Sequence, residues 1–198
     1  MEPQTFNFIF LQQQYPALTL RTASPAEFRP FKILEPQLVS VLEQGSAEFK
    51  AASNEEVFLL ECSQKPAAVC SIVTTCNHLK QEPRKYYARI DFVITQPTMR
   101  GMGAGRMVLL GALSHLLAQQ SSSLYSISCL AGHAAVAHIL TSLNFNSKEK
   151  PGQTFVHQEF KISEESEKLL ANQVNESAFE TAKLLHYRLR QRSGKPHD

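Results

Sequence analysis

The chain has little of what would mark a membrane, nucleic-acid or metal protein. Within its 198 residues no uninterrupted apolar run approaches the ~20 residues of a membrane-spanning helix. The opening MEPQTF lacks the basic-then-apolar order of a secretory signal. Charge of one sign is also scarce: the formal net charge is +2 and the lysines are dispersed, so there is no basic footprint for nucleic acid. The cysteines, Cys62, Cys70, Cys76 and Cys129, form no CxxC pair and stand in apolar, strand-like runs. They read as reduced core thiols, and neither a metal site nor a disulfide framework is expected. A cytoplasmic protein with no nucleic-acid or membrane partner is the expectation. A length of 198 residues with 43% hydrophobic content suits one domain with an appended segment.

The informative stretch runs from Tyr86 to Gln120. Strict alternation puts Tyr87, Arg89, Asp91, Val93 and Thr95 on one face of a strand and Ala88, Ile90, Phe92 and Ile94 on the other. Pro97 cannot donate to a ladder and holds Gln96 extended, so the strand ends there. Beyond the glycines, Met107, Leu110, Leu113, Leu116 and Leu117 recur at helical spacing and predict a broad buried stripe. A glycine turn between strand and helix lets backbone approach a ligand closely. The first helical turn has N–H groups without intrahelical partners, a setting for phosphate. Two familiar phosphate loops are excluded. No Lys-Ser or Lys-Thr follows Gly105, as a P-loop requires, and Arg106 stands where a GxGxxG fingerprint needs its third glycine.

The run Arg100-Gly101-Met102-Gly103-Ala104-Gly105 instead matches Arg/Gln-x-x-Gly-x-Gly/Ala. It resembles the acyl-CoA-binding signature of the GNAT superfamily of N-acyltransferases. A second likeness lies in Gly132 to Phe145, which is similar to the family's later helix. There Asn144 replaces the usual glycine, and Asn also suits a left-handed C-cap. The resemblance implies an α/β fold with a mixed, mostly antiparallel sheet flanked by helices. It covers roughly Leu18 to Ile162, so residues 1–162 are read as the acetyl-CoA-binding domain, 163–192 as a C-terminal helical appendage and 193–198 as a disordered tail.

The rest of the chain fits that order. Phe6, Phe8 and Phe10 alternate, as an edge strand or as an arm on a partner. Leu18–Thr22 predicts a short strand. Ser24-Pro25-Ala26-Glu27 is a capping box, and Pro30 should cut its helix short. Pro36 can restart a helix that stops at Gly45. Val57–Cys62 and Ala67–Thr75 read as a hairpin, His78–Arg84 as a loop, Leu124–Cys129 as a strand parallel to the one before the glycines, Ala134–Leu143 as a helix, and Phe155–Phe160 as a late strand. In the tail, Glu164, Glu165 and Glu167 precede His186, Arg188, Arg190 and Arg192, an order that complements a helix macrodipole. Its leucines are too sparse to choose between one long helix and two. It could pack back on the domain or pair with a second copy as a homodimer.

The resemblance also implies a chemistry: a neutral amine attacks the thioester of acetyl-CoA, the cosubstrate. The family's two splayed central strands admit the pantetheine arm, with backbone groups of Val93 and Thr95 completing the ladder. Arg100, Gly101, Met102, Gly103, Ala104, Gly105 and Arg106 would hold the diphosphate. Asp91 is the candidate catalytic base, with an ion pair to Arg89 as its structural alternative. Leu140 stands where the family often has a tyrosine as leaving-group acid; His133 and His138 lie near it in sequence and Tyr125 on the strand before, and the thiolate could also leave through solvent. The expected activity is N-acetylation of a small-molecule or protein amine. A non-catalytic acyl-CoA-binding or sensor module is the alternative.

Overall fold

Among the described residues, seven strands make one sheet. The computed structural model describes residues 8–34, 53–76, 85–120, 123–131, 133–148 and 156–194. Along the chain run α1 (Phe8–Gln14), β1 (Leu18–Thr22), α2 (Pro25–Leu34), β2 (Ser53–Cys62), β3 (Lys65–Cys76), β4 (Tyr86–Thr95), α3 (Ala104–Gln120), β5 (Leu124–Ala131), α4 (Ala134–Ser142), β6 (Asn146–Lys148), β7 (Val156–Lys161) and α5 (Glu164–Arg192). The strand order is β1-β2-β3-β4-β5-β7-β6, and all neighbours pair antiparallel except β4 and β5, which are joined through α3 and run parallel. This is the mixed, mostly antiparallel sheet that the sequence predicts. None of the described helices is long and apolar enough to cross a membrane.

The β2–β3 hairpin closes on Ser63 and Gln64 alone, both with positive φ (51° and 62°). A two-residue turn of this kind matches the twist of its strands, so both strands run longer than their apolar cores suggested. The N-terminal segment corrects a strand expectation. Residues Phe8–Gln14 are helical, with Leu11 fully buried and its carbonyl accepting from Tyr15 N–H at 2.8 Å. Phe alternation over so short a run cannot outweigh the helix propensity of the glutamines. Phe6, the segment after Pro36 and the 78–84 loop lie outside the described residues.

Pro30 does not end α2, which continues to Leu34. The residue is exposed, so the backbone acceptor it leaves unpaired can turn to water, while Phe31 next to it is buried at 1% exposure and anchors the helix. Its start follows the capping box: Glu27 accepts from Ser24 N–H and from the Ser24 hydroxyl, both at 2.9 Å. Arg21 joins Glu27 (2.6 Å) to Glu61 (2.7 Å). That guanidinium, with Ser24, holds the Glu27 carboxyl down to about 2 from an ordinary 4.5. A group depressed in the folded state stabilises above its unfolded value, and the contribution is lost as pH falls through the folded one. Glu27→Gln is therefore expected to melt below the wild type near neutral pH, with the gap closing between about pH 4.5 and pH 2. Melting curves across that range check it. A gap that persists in acid would assign the effect to packing alone.

The two faces of the sheet are covered unequally. On one, Phe31 of α2 packs against Leu59, Val69, Phe92 and Ile94. On the other lies α3, and α5 packs on α3 in turn. Val108, Leu109 and Ala112 of α3 are as buried as its predicted stripe, because the helix is enclosed by sheet and α5 together. The tail is a single helix of 29 residues, started by a Ser163–Ser166 capping box. Its stripe is Leu170, Val174, Ala178, Thr181, Ala182 and Leu185. Small residues carry half of that stripe, which is why leucine spacing did not reveal it. Of the predicted tail, 195–198 lie outside the described residues.

Candidate functional site: a splayed strand pair above a glycine turn

β4 is where the sheet becomes a site. Against β3 its register slips, with Ser71 opposite Phe92 and Ile72 opposite Ile90, so Asp91 is left without a partner at a β-bulge. The extra residue reverses the faces beyond it. Ala88 and Ile90 belong to the core under α3, whereas Phe92 and Ile94 belong to the α2 side. Val93 and Thr95 then face α3, where they lie nearest to Gly105. Strict alternation had put Val93 and Thr95 on the face opposite Ala88 and Ile90; the bulge corrects it.

The same point ends the pairing to β5. Partners run from Tyr86↔Leu124 to Ile90↔Cys129 and stop, while β5 continues to Ala131 beside β7. The β5-facing edge of Asp91–Thr95 therefore opens onto a cavity of about 410 Å³. Backbone groups on such an edge need a partner, whether water or an extended ligand chain. The far wall comes from β5 and from α4, which shows Ala135, Val136 and Ile139 to the cavity. Gln158, fully buried on β7, fixes α4 by donating to the Ala137 carbonyl (3.1 Å) and the Thr141 hydroxyl (2.8 Å). Asn144 ends this helix region in the left-handed conformation (φ 63°), as the sequence predicts.

The floor is the glycine turn. Gly101 and Gly103 have φ of 74° and 103°, and Met107 N–H bonds the Gly103 carbonyl at 2.9 Å to close the first turn of α3. At Gly105 the need is proximity: an added Cβ would sit 2.5 Å from Thr95 Oγ1. Glycine here lets the N-terminus of α3 lie directly on the open half of β4. Arg100 donates to the Thr95 carbonyl at 3.4 Å, and Arg106 borders the cavity with its Nε buried and without a hydrogen-bond partner. First-turn N–H groups, a helix dipole and guanidinium groups meet at one place, which suits an anionic group.

Of the residues singled out by sequence, Asp91, Val93, Thr95, Arg100, Gly101, Gly103, Ala104, Gly105 and Arg106 all line this cavity. Met102 instead turns into the core at 6% exposure. Asp91 is engaged by Arg89, whose Nε contacts Oδ1 and whose Nη2 donates to Oδ2 at 3.2 Å. Leu140 is fully buried, and His133 and His138 are exposed, with His133 at the cavity rim. Tyr125 packs its ring on Tyr87 at 5.3 Å and under Lys85 Nζ at 4.6 Å. Cys129, at the cavity wall, has its thiol pushed up to about 12 by burial and secondarily by the charge of Asp91. A thiol so placed stays protonated at neutral pH and is a poor nucleophile.

No protein-family model and no curated protein matches the sequence. Solved structures do match the fold. A mutant of the toxin AtaT, bound to the C-terminus of the antitoxin AtaR, superposes over 78% of this chain and 98% of its own, with TM-score 0.52 and 13% identity. Naa50 of Arabidopsis thaliana, in complex with a bisubstrate analogue, covers 74% of this chain and 99% of its own at TM-score 0.51 and 13% identity. A mutant of SpeG, the spermidine N-acetyltransferase of Vibrio cholerae, covers 77% and 97% at TM-score 0.51 and 16% identity. The chain has the GNAT acetyltransferase fold. At these identities the likeness speaks for the GNAT architecture and not for the residues of the site.

Contacts from α5 complete the floor, and they were not foreseen. Arg188 Nη1 donates to the carbonyls of Gly101 (3.1 Å) and Met102 (2.9 Å), and Arg192 Nη1 to that of Thr98 (2.8 Å). The sequence offered these arginines only as charges suited to a helix C-terminus. Nothing local links them to a turn some 90 residues earlier.

Proposed function

We infer that the chain is an N-acetyltransferase that moves the acetyl group of acetyl-CoA to a primary amine. The observation that carries this is the opened edge of Asp91–Thr95 directly above the glycine turn at the start of α3. Val93 and Thr95 would offer backbone groups to the amide-rich pantetheine arm as if to a further strand. The N–H groups from Gly103 to Arg106, with the Arg100 and Arg106 side chains, would hold the diphosphate. Gly101, Ala104 and Met102 keep that turn in shape. The fold neighbours agree in kind: one is a spermidine N-acetyltransferase, and AtaT has been solved with acetyl-CoA.

In the reaction the amine nitrogen forms a bond to the thioester carbonyl carbon and the carbon–sulfur bond breaks. Asp91 takes the amine proton, directly or through a water, which requires its carboxylate to share or leave Arg89. The sulfur departs as a thiolate and takes its proton from solvent, which reaches the rim at exposed His133, while α4 itself shows Ala135, Val136 and Ile139 to the cavity. Protonated Cys129 favours direct attack over an acyl-enzyme. The acceptor is a primary amine on a small molecule or a protein, and the buried thiols Cys62, Cys70 and Cys129 suit the cytoplasm.

A second reading has its own support. With both Asp91 oxygens on Arg89 and no proton donor on the cavity face of α4, the same site would serve a non-catalytic acyl-CoA-binding module. Acetyl-CoA-dependent thiol release across a panel of amines separates them. Release with at least one amine supports the transferase. CoA binding by folded protein with no amine acetylated replaces it with the binding module.

A further inference from the structure

The turn that borders the cavity is gripped from behind by a helix outside the strands and helices that form the site. Arg188 and Arg192 occupy the carbonyls of Thr98, Gly101 and Met102. In a planar trans peptide the carbonyl and the following N–H point in opposite directions. Holding the Met102 carbonyl against Arg188 therefore aims Gly103 N–H away from α5, on the side where Gly103 borders the cavity. Arg188 also reaches that cavity itself, beside Arg100 and Arg106. In a chain whose formal net charge is only +2, these guanidinium groups converge on one helix N-terminus. A second cavity, of about 500 Å³, lies behind the turn between it and α5, lined by Thr181 and Leu184 and by Glu176 and Glu180. With the turn spanning that gap, the arginines are what tie its carbonyls to the helix.

Resting on the acyl-CoA reading above, we propose that α5 is a working part of the nucleotide site: Arg188, backed by Arg192, positions the Met102–Gly103 peptide for the diphosphate and adds its own positive charge there. Ligand binding at the turn and docking of the last turns of α5 are then reciprocally coupled. Arg188 is exposed, so its contribution is sensitive to salt.

Calorimetry on the full chain tests this, with coenzyme A and with pantetheine, which lacks the diphosphate. Arg188→Ala is expected to bind coenzyme A about 10-fold more weakly, as loss of charge-assisted hydrogen bonds implies. The deficit should widen at low salt, and pantetheine binding should be unchanged. Arg188→Lys keeps the charge but not the length and planar geometry with which Nη1 meets both carbonyls, and should recover part of the affinity. Hydrogen exchange on the wild type gives a readout independent of variant folding: coenzyme A should slow exchange from Leu184 to Arg192. Equal coenzyme A affinity in Arg188→Ala, an equal loss for pantetheine, or no added protection in α5 would each overturn the proposal while leaving the acyl-CoA reading intact. A wild type that binds no coenzyme A takes down both.

Discussion

Turnover should fall by about 10² or more in Asp91→Asn, with coenzyme A affinity little changed. Asparagine keeps the size and one acceptor oxygen but cannot take up a proton at neutral pH, so the bulge and one of the two hydrogen bonds from Arg89 survive. The wild-type pH–rate profile should have an ascending limb. In the variant that limb should move up toward the pKa of the free amine, about 10.4 for a lysine-like acceptor. Arg89→Ala is the necessary companion, because Asp91 is only 9% exposed and bonded to Arg89 through both oxygens. If Asp91 is the base, Arg89→Ala stays active and its limb moves upward, because loss of the neighbouring cation disfavours the carboxylate. A structural carboxylate gives equal losses of melting temperature in both variants and leaves the limb where it was. Unaltered turnover across pH in Asp91→Asn would remove Asp91 from the chemistry.

What could be read from the sequence is what local sterics dictate. Pro97 ends a strand, glycines permit positive φ at 101 and 103, and Asn144 fills a left-handed cap; each needs only its own neighbourhood. That is why the strand, glycine turn and helix of the site were legible together. The bulge was not, because Asp91 is not a glycine and the register that creates the bulge lies on β3. Only the partner strand shows that Val93 and Thr95 change faces. The open edge followed from the resemblance, and no feature of Asp91–Thr95 alone says that β5 will leave it.

The long C-terminal helix illustrates a different blindness. Counting leucines and valines left gaps in its middle that Ala178, Thr181 and Ala182 fill, and these small residues serve close approach to α3. Likewise, α3 looked one-sided because sequence shows a helix's own stripe but not how many neighbours will enclose it. Arg188 and Arg192 had a sufficient local explanation in the macrodipole. The contact that gives them a further task spans 86 to 94 positions of chain. Long-range pairing between an arginine and a backbone carbonyl leaves no pattern, since every residue has a carbonyl.

Gly103→Val should weaken coenzyme A binding by about 10² while the sheet and its helices remain folded. The cause is not a side chain standing in the cavity. A Cβ on Gly103 would point toward Thr181 and Arg188, at 3.8 and 3.9 Å, which is ordinary contact. What valine cannot accept is φ of 103°. The turn must rotate, and the rotation carries Gly103 N–H and the Met102 carbonyl away from the positions that Arg188 and the cavity require. Gly101 supplies the contrast. Its φ of 74° is near the left-handed region that asparagine tolerates, and an added Cβ there meets nothing within 4 Å. Gly101→Asn should therefore bind coenzyme A within a few-fold of the wild type. Calorimetry on the two variants, with melting temperatures as folding controls, makes the comparison. Wild-type affinity in both would move the diphosphate off this turn. A severe loss in Gly101→Asn alone would mean that close approach at residue 101, and not backbone conformation at 103, governs the site.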